Sequence, residues 1–139
     1  MMTREEAIAL RSQMEDTFAL ASVSMNNDQI IANRILCKPW EPGVYEIGDV
    51  RTTAGGIWSC CQAHDSTANP AWTPDAERAL WAPYHGTTAD TALPFVQPTG
   101  AHDMYKQGEF MVYIDGLIYR CLSDTSYSPT DYAAAWEAQ

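Results

Sequence analysis

Apolar Ala7, Leu10, Met14, Phe18 and Ala21 recur at spacings of three and four, the period that lines one face of an α-helix. Thr3-Arg4-Glu5-Glu6 in front of them has the form of a capping box, a hydroxyl answered by Glu three residues later. With no Pro or Gly before it, the helix is predicted to run to about Ser22. Asn26-Asn27-Asp28 then breaks the pattern. A second short helix is predicted from about Asp28 to Cys37, carrying Ile31, Ile35 and Leu36 and closed by Lys38-Pro39, because proline disfavours helical geometry in its predecessor. Two such helices make a thin core. The stripe therefore packs one helix on the other or docks on copies of the chain or on a larger assembly.

From Pro39 onward the pattern changes to short strands and turns, written twice. The first copy runs Trp40-Glu41-Pro42-Gly43-Val44-Tyr45-Glu46-Ile47-Gly48-Asp49-Val50, then Gly55-Gly56-Ile57-Trp58-Ser59-Cys60, then Trp72-Thr73-Pro74, and closes on Leu80-Trp81. The second runs Tyr105-Lys106-Gln107-Gly108-Glu109-Phe110, then Gly116-Leu117-Ile118-Tyr119-Arg120-Cys121, then Tyr127-Ser128-Pro129, and closes on Ala135-Trp136. Tyr to Gly is three residues in both, Gly to Cys five, and Pro to Trp seven. The lengths differ only in turns, where insertions are tolerated. Between the copies, His85-Gly86-Thr87-Thr88-Ala89-Asp90-Thr91-Ala92 is small and polar and reads as a linker.

Composition sharpens this division. Of fifteen aromatic residues, all but Phe18 and Phe95 fall in the two copies; units of about 45 residues have little aliphatic core, so flat rings must supply buried area. Eight Lys and Arg stand against eighteen Asp and Glu, a net charge of −10, which disfavours nucleic acid and anionic membrane as partners. The N-terminal residues lack the apolar core of a signal peptide and no apolar run reaches membrane-spanning length, so folding in a cytoplasm is expected. Cys37, Cys60, Cys61 and Cys121 form no C-x-x-C pair and read as reduced, mostly buried thiols. His64, His85 and His102 are far apart; no metal site and no cofactor are expected. A Gly-rich phosphate loop, a His-Glu-x-x-His and a nucleophile setting are missing from the sequence, so the chain is not expected to be an enzyme.

The Tyr-x-x-Gly-Asp-x-Val strand, the Gly-x-x-Tyr-x-Cys strand, the loop proline and the closing Trp resemble the small chitin-binding modules of carbohydrate-binding module family 5/12. Gln62-Ala63-His64-Asp65-Ser66 with Trp72-Thr73-Pro74-Asp75, and Gln97-Pro98-Thr99-Gly100-Ala101-His102-Asp103, resemble proteins from tail-gene regions of phages and prophages of Gram-positive bacteria. Those proteins share a short helical N-terminus ending in a Pro-Trp such as Pro39-Trp40. The resemblance implies a small twisted antiparallel sheet of about three strands with a long loop, and polysaccharide held on exposed aromatics. The tandem aromatic pair usual after the second strand is missing: Gln62-Ala63-His64 and Ser123-Asp124 stand there.

The expected fold is α+β: a helical oligomerisation or attachment segment (1–38), a first antiparallel three-stranded module (39–84), a linker (85–97) and a second such module (98–139). Tyr45, Trp81, Tyr105, Tyr119 and Trp136 occupy repeat positions and read as structural. Trp72 and Tyr127, before the Thr-Pro and Ser-Pro steps, are candidates to stack on a pyranose, or to pack under their own prolines. Tyr113 and His64 are candidate neighbours. Trp58, on the same strand face as Cys60, is open to either role. The expected function is a tail-associated protein, located in the virion and assembled in the bacterial host cytoplasm, that contacts cell-wall glycan weakly and multivalently. Its helices attach it to phage tail proteins or, as a homo-oligomer, to its own copies. The alternative is a structural tail or baseplate component that binds no sugar.

Overall fold

Thr3 caps the first helix, with half of the expected capping box: in a computed structural model describing residues 1–139, its hydroxyl accepts the Glu6 N–H at 3.1 Å while the Glu6 side chain makes no return bond, and α1 runs Arg4–Ala21. Asn26 and Gln29 form a reciprocal capping box, both bonds 2.9 Å, which starts α2 (Asn27–Ala32). This second helix is shorter than the periodicity predicts. The Asn33 side chain turns back to donate to the Gln29 carbonyl at 2.8 Å, and Arg34–Leu36 continue as a single 3₁₀ turn. Of the predicted stripe only Phe18 is buried, while Leu10 and Met14 stay exposed. Phe18 joins Ile30, Ile31 and Cys37 over Ile57, so the helical segment's buried side packs onto the sheet. No helix is long and apolar enough to cross a membrane.

The rest is strands and turns, giving an α+β chain. Strands β1 (Val44–Tyr45), β2 (Val50–Thr53), β3 (Gly56–Cys60), β4 (His64–Asp65) and β5 (Trp81–Pro83) come first. They build an antiparallel sheet β2-β3-β5 and a two-stranded ribbon β1-β4. Alternation along β3 divides its side chains: Ile57 faces the helices, whereas Trp58 and Cys60 join Tyr45 and Trp81 in a second core. Strands β6 (Leu93–Pro94), β7 (Phe110–Val112), β8 (Ile118–Cys121) and β9 (Trp136–Ala138) form one sheet in that order. Its core gathers Tyr105, Met111, Cys121, Ala135 and Trp136.

The same hydrogen bonds recur in both halves. Gly48 N–H donates to the Cys60 carbonyl at 3.0 Å and Cys60 N–H to that of Asp49 at 2.8 Å; Gly108 with Cys121 and Cys121 with Glu109 repeat this at 2.8 and 2.7 Å. Gly48 and Gly108 take φ of 94° and 89°, a left-handed turn that explains why both copies keep glycine there. Tyr45 meets Trp81 edge-on at 4.9 Å and 76°, as Tyr105 meets Trp136 at 5.2 Å and 70°.

Residues 85–97 are packed rather than a free linker. Thr87 and Thr91 tie them to α2: Asp28 accepts the Thr87 N–H at 2.7 Å, the Thr91 hydroxyl at 2.8 Å and the Thr87 hydroxyl. Small polar residues here serve as hydrogen-bonding partners, which composition does not distinguish from solvation. The segment also supplies β6, which pairs in parallel with β7, so the second sheet has four strands where three antiparallel ones are expected. Gly86 bridges to Phe110, and a Cβ built there would lie 2.1 Å from the Thr91 carbonyl oxygen. Gly86→Ala is therefore expected to lower stability by about 1–3 kcal/mol, read as a shifted urea midpoint with unchanged slope.

His85 is buried with its ring stacked on Tyr105 at 3.8 Å and 9°, and its Nδ1 lies 2.9 Å from Glu109 Oε1. Arg78 donates to buried Asp103 at 2.7 Å. The Arg78–Asp103 contact joins the 39–84 part to the 98–139 part, and His85–Glu109 joins the connecting segment to the latter.

Candidate functional site

The Ser128-Pro129 step sets a tight turn in which the Tyr132 N–H donates to the Ser128 carbonyl at 2.8 Å and the Asp131 N–H to the Ser128 hydroxyl at 3.2 Å. Tyr127 enters this turn held from both sides: its N–H donates to the Thr125 hydroxyl at 3.0 Å, and its carbonyl accepts the Trp136 indole N–H at 3.0 Å. The backbone is thus fixed by the core while the ring is free. Tyr127 is 60% exposed and Tyr132 51%, their centroids 6.4 Å apart at 80°. Thr130, in the same turn, shares a 2.7 Å hydrogen bond with the Tyr113 hydroxyl. Tyr113 is half-buried, edge-on to Phe95 and Tyr119. The half-buried Tyr119 donates to Asp115 at 2.7 Å, and that bond holds the Asp115 carboxyl below its ordinary range.

Such a turn can present two apolar ring faces flanked by hydroxyls and a carboxylate. Those are the groups a pyranose needs for its C–H face and its hydroxyls. Sequence reasoning finds Tyr127 but misses Tyr132. The available signal is its position three residues after Pro129, where one tight turn returns it to its neighbour.

The first copy builds the same turn with different side chains. Glu77 N–H donates to the Thr73 carbonyl at 2.9 Å, so Trp72 corresponds to Tyr127 and Glu77 to Tyr132. Trp72 is half-buried. Trp58 is 1% exposed, donates its indole N–H to Thr53 at 2.9 Å and carries the Arg78 guanidinium 5.2 Å over its ring; it has no free face and is removed from the candidate ligand residues. His64 does not join the exposed rings either. It packs 5.6 Å from Tyr45 and 5.7 Å from Trp81, with Nδ1 2.7 Å from the Gln62 carbonyl oxygen and Nε2 buried, because β4 pairs His64 with Tyr45. Tyr45, Tyr105, Trp81 and Trp136 are all buried.

The four cysteines are free, and Cys61 alone is exposed. Burial pushes the Cys37 and Cys121 thiols up to about 11 and raises those of Cys60 and Cys61 as well, so thiolate is scarce at neutral pH and access decides which thiol reacts. Alkylation of native protein at neutral pH is expected to modify Cys61 first, with the other three reacting only after denaturation, as intact mass will show.

A search of curated proteins finds no match to the chain. Residues 39–82 match the model of carbohydrate-binding module family 5/12, which supports a carbohydrate-binding module in this part of the chain.

Proposed function

We propose that the chain is a non-catalytic glycan-binding protein made of two modules in tandem, about 39–84 and 98–139, whose main saccharide site is the Tyr127–Tyr132 pair. The observation that carries this reading is the exposure of both rings on a turn whose backbone is anchored to the core. The family match to residues 39–82 supports glycan as the ligand, and the repeated hydrogen bonds extend it to the second module. Two rings at 80° cannot lie flat on one plane, so the pair suits a single chain that bends across it better than a crystalline surface. Trp72, with Glu77 where the second module has Tyr132, is a weaker site.

In this proposal the protein is a phage or prophage tail component, part of the virion and assembled in the host cytoplasm. The sequence resemblance of the 62–75 and 97–103 stretches supports that setting. Exposed Leu10 and Met14 on α1 are the surface through which it would attach to tail proteins or to its own copies, and several copies on one particle would raise weak binding through effective concentration. The net charge of −10 supports a neutral or cationic surface partner over nucleic acid or anionic membrane. A second reading, a structural tail component without sugar binding, is favoured by half-buried Trp72.

Retention on host peptidoglycan, teichoic-acid-bearing wall and chitin tests the choice. Partial burial of a ring contributes part of the roughly 1.5–3 kcal/mol of a fully buried apolar side chain. Tyr127→Ala with Tyr132→Ala is therefore expected to weaken retention about a hundredfold, and Trp72→Ala by about threefold. Retention unchanged in the double variant would reject the site, and no retention of the unaltered protein on any wall glycan would favour the structural reading.

A further inference from the structure

The largest cleft, about 860 Å³, is not at the tyrosine turn. It lies between the helical segment, the β2–β3 hairpin and β6, and it is within the ~300–1,000 Å³ range of small-ligand pockets. Its lining inverts the charge of the molecule. In a chain of net charge −10, the cleft is lined by Arg11 and Arg34 and by no Asp or Glu.

The two guanidiniums differ in how they are held. Arg11 donates to the Ile35 carbonyl, with its Nε 3.7 Å from Glu15, so it is pinned at the cleft and partly neutralised by a carboxylate outside the lining. Arg34 donates from Nη1 to the Ile31 carbonyl at 3.0 Å and enters no ion pair. Its other N–H groups are left for a ligand. The hairpin contributes Thr53, Gly55 and Gly56 to the wall; the Thr53 hydroxyl is engaged with the Gly55 N–H at 3.2 Å and the Trp58 indole N–H at 2.9 Å, on the sheet face away from the helices, so the two guanidiniums are the charged donors. Ile35 and Leu93 supply apolar lining. At physiological salt the acids elsewhere are screened beyond about 8 Å, so this local surplus of donors decides what the cleft attracts.

We infer that this cleft is a second ligand site, specific for a saccharide bearing an oxyanion, a carboxylate or a phosphate, with Arg34 as its principal anchor and Arg11 beside it. The saccharide part of this inference rests on the glycan-binding reading above; the oxyanion part rests on the donors alone. Guanidinium pairs bidentately with either oxyanion, and the apolar lining takes sugar C–H faces. The tyrosine turn would hold neutral stretches of a glycan and the cleft its charged groups.

Calorimetric titration with trigalacturonate, neutral tri-N-acetylglucosamine and inorganic phosphate separates these claims. Trigalacturonate is expected to bind about tenfold tighter than the neutral trimer and to weaken as salt rises. Arg34→Gln should remove that advantage, Arg34→Lys should keep part of it, and circular dichroism should show both variants folded, since Arg34 is exposed. The Tyr127→Ala, Tyr132→Ala variant should keep the trigalacturonate advantage, so failure of the tyrosine site and failure of the cleft read out separately. Equal binding of charged and neutral trimers, an advantage that survives Arg34→Gln, or inorganic phosphate binding as tightly as trigalacturonate, which would leave the sugar no part in recognition, would each overturn the inference.

Discussion

Asp103→Ala is expected to destabilise the protein by about 3–5 kcal/mol, the usual cost of breaking a buried ion pair from one side. Asp103 is 2% exposed and holds four donors: Arg78 at 2.7 Å, the Thr99 N–H and hydroxyl at 3.0 Å, and the Gly100 N–H at 2.9 Å. Alanine would leave the Arg78 guanidinium, only 14% exposed, without its counter-charge, and three further donors without an acceptor. The pH dependence follows from the same contacts. Burial pushes the Asp103 carboxyl up, but the Thr99 and Gly100 amides, the Thr99 hydroxyl and His102 outweigh it and hold it below its ordinary value. On acidification the unfolded chain therefore takes up the proton first, so the stability that Asp103 provides is present above about pH 4 and is lost as pH falls further. Urea melts at neutral pH and near pH 3 should show the variant's deficit shrinking in acid. Because Arg78 belongs to the 39–84 part and Asp103 to the 98–139 part, the unaltered protein is expected to melt in one transition and the variant in two.

Comparable losses are expected at the closing tryptophans. Trp81 is 0% exposed and Trp136 6%, and either Trp→Ala change should cost about 3–5 kcal/mol through the cavity it leaves. The milder Trp→Phe changes distinguish them. The Trp81 indole N–H has no hydrogen-bond partner, so Trp81→Phe loses volume but relieves a buried unpaired donor; Trp136→Phe forfeits the bond to the Tyr127 carbonyl. Trp81→Phe is therefore expected to be the better tolerated by about 1 kcal/mol, measured by denaturant melts. Trp136→Phe should also loosen the ring pair and weaken glycan retention, which Trp81→Phe should leave intact.

Much of this architecture is legible in the sequence, for local reasons. Thr3 announces its helix start because capping is decided within three residues, and the Tyr-to-Gly and Gly-to-Cys intervals announce the hairpins because a strand tolerates no insertion; Asn26, read as a break between helices, is in fact the cap of the second. What the sequence hides is long-range. Thr87 and Thr91 resemble a linker until Asp28, some sixty residues earlier, is placed against them. Trp58 and Tyr127 are both plausible stacking rings in sequence, yet β3 buries the first under Arg78 and a proline turn exposes the second. Tyr132 falls outside any motif and gains its place only through the ring beside it. The arginine cleft has no linear signature, since Arg11, Arg34 and Thr53 come from three separate elements.

The most direct test of glycan binding at the Tyr127–Tyr132 turn is to follow the aromatic ring protons of the protein by NMR while soluble wall glycan fragments are added. The proposal predicts saturable shifts confined to Tyr127 and Tyr132, with smaller ones at Tyr113 and none at buried Tyr45 and Tyr105. Saturable binding that moves other aromatic rings and leaves Tyr127 and Tyr132 unshifted would contradict it.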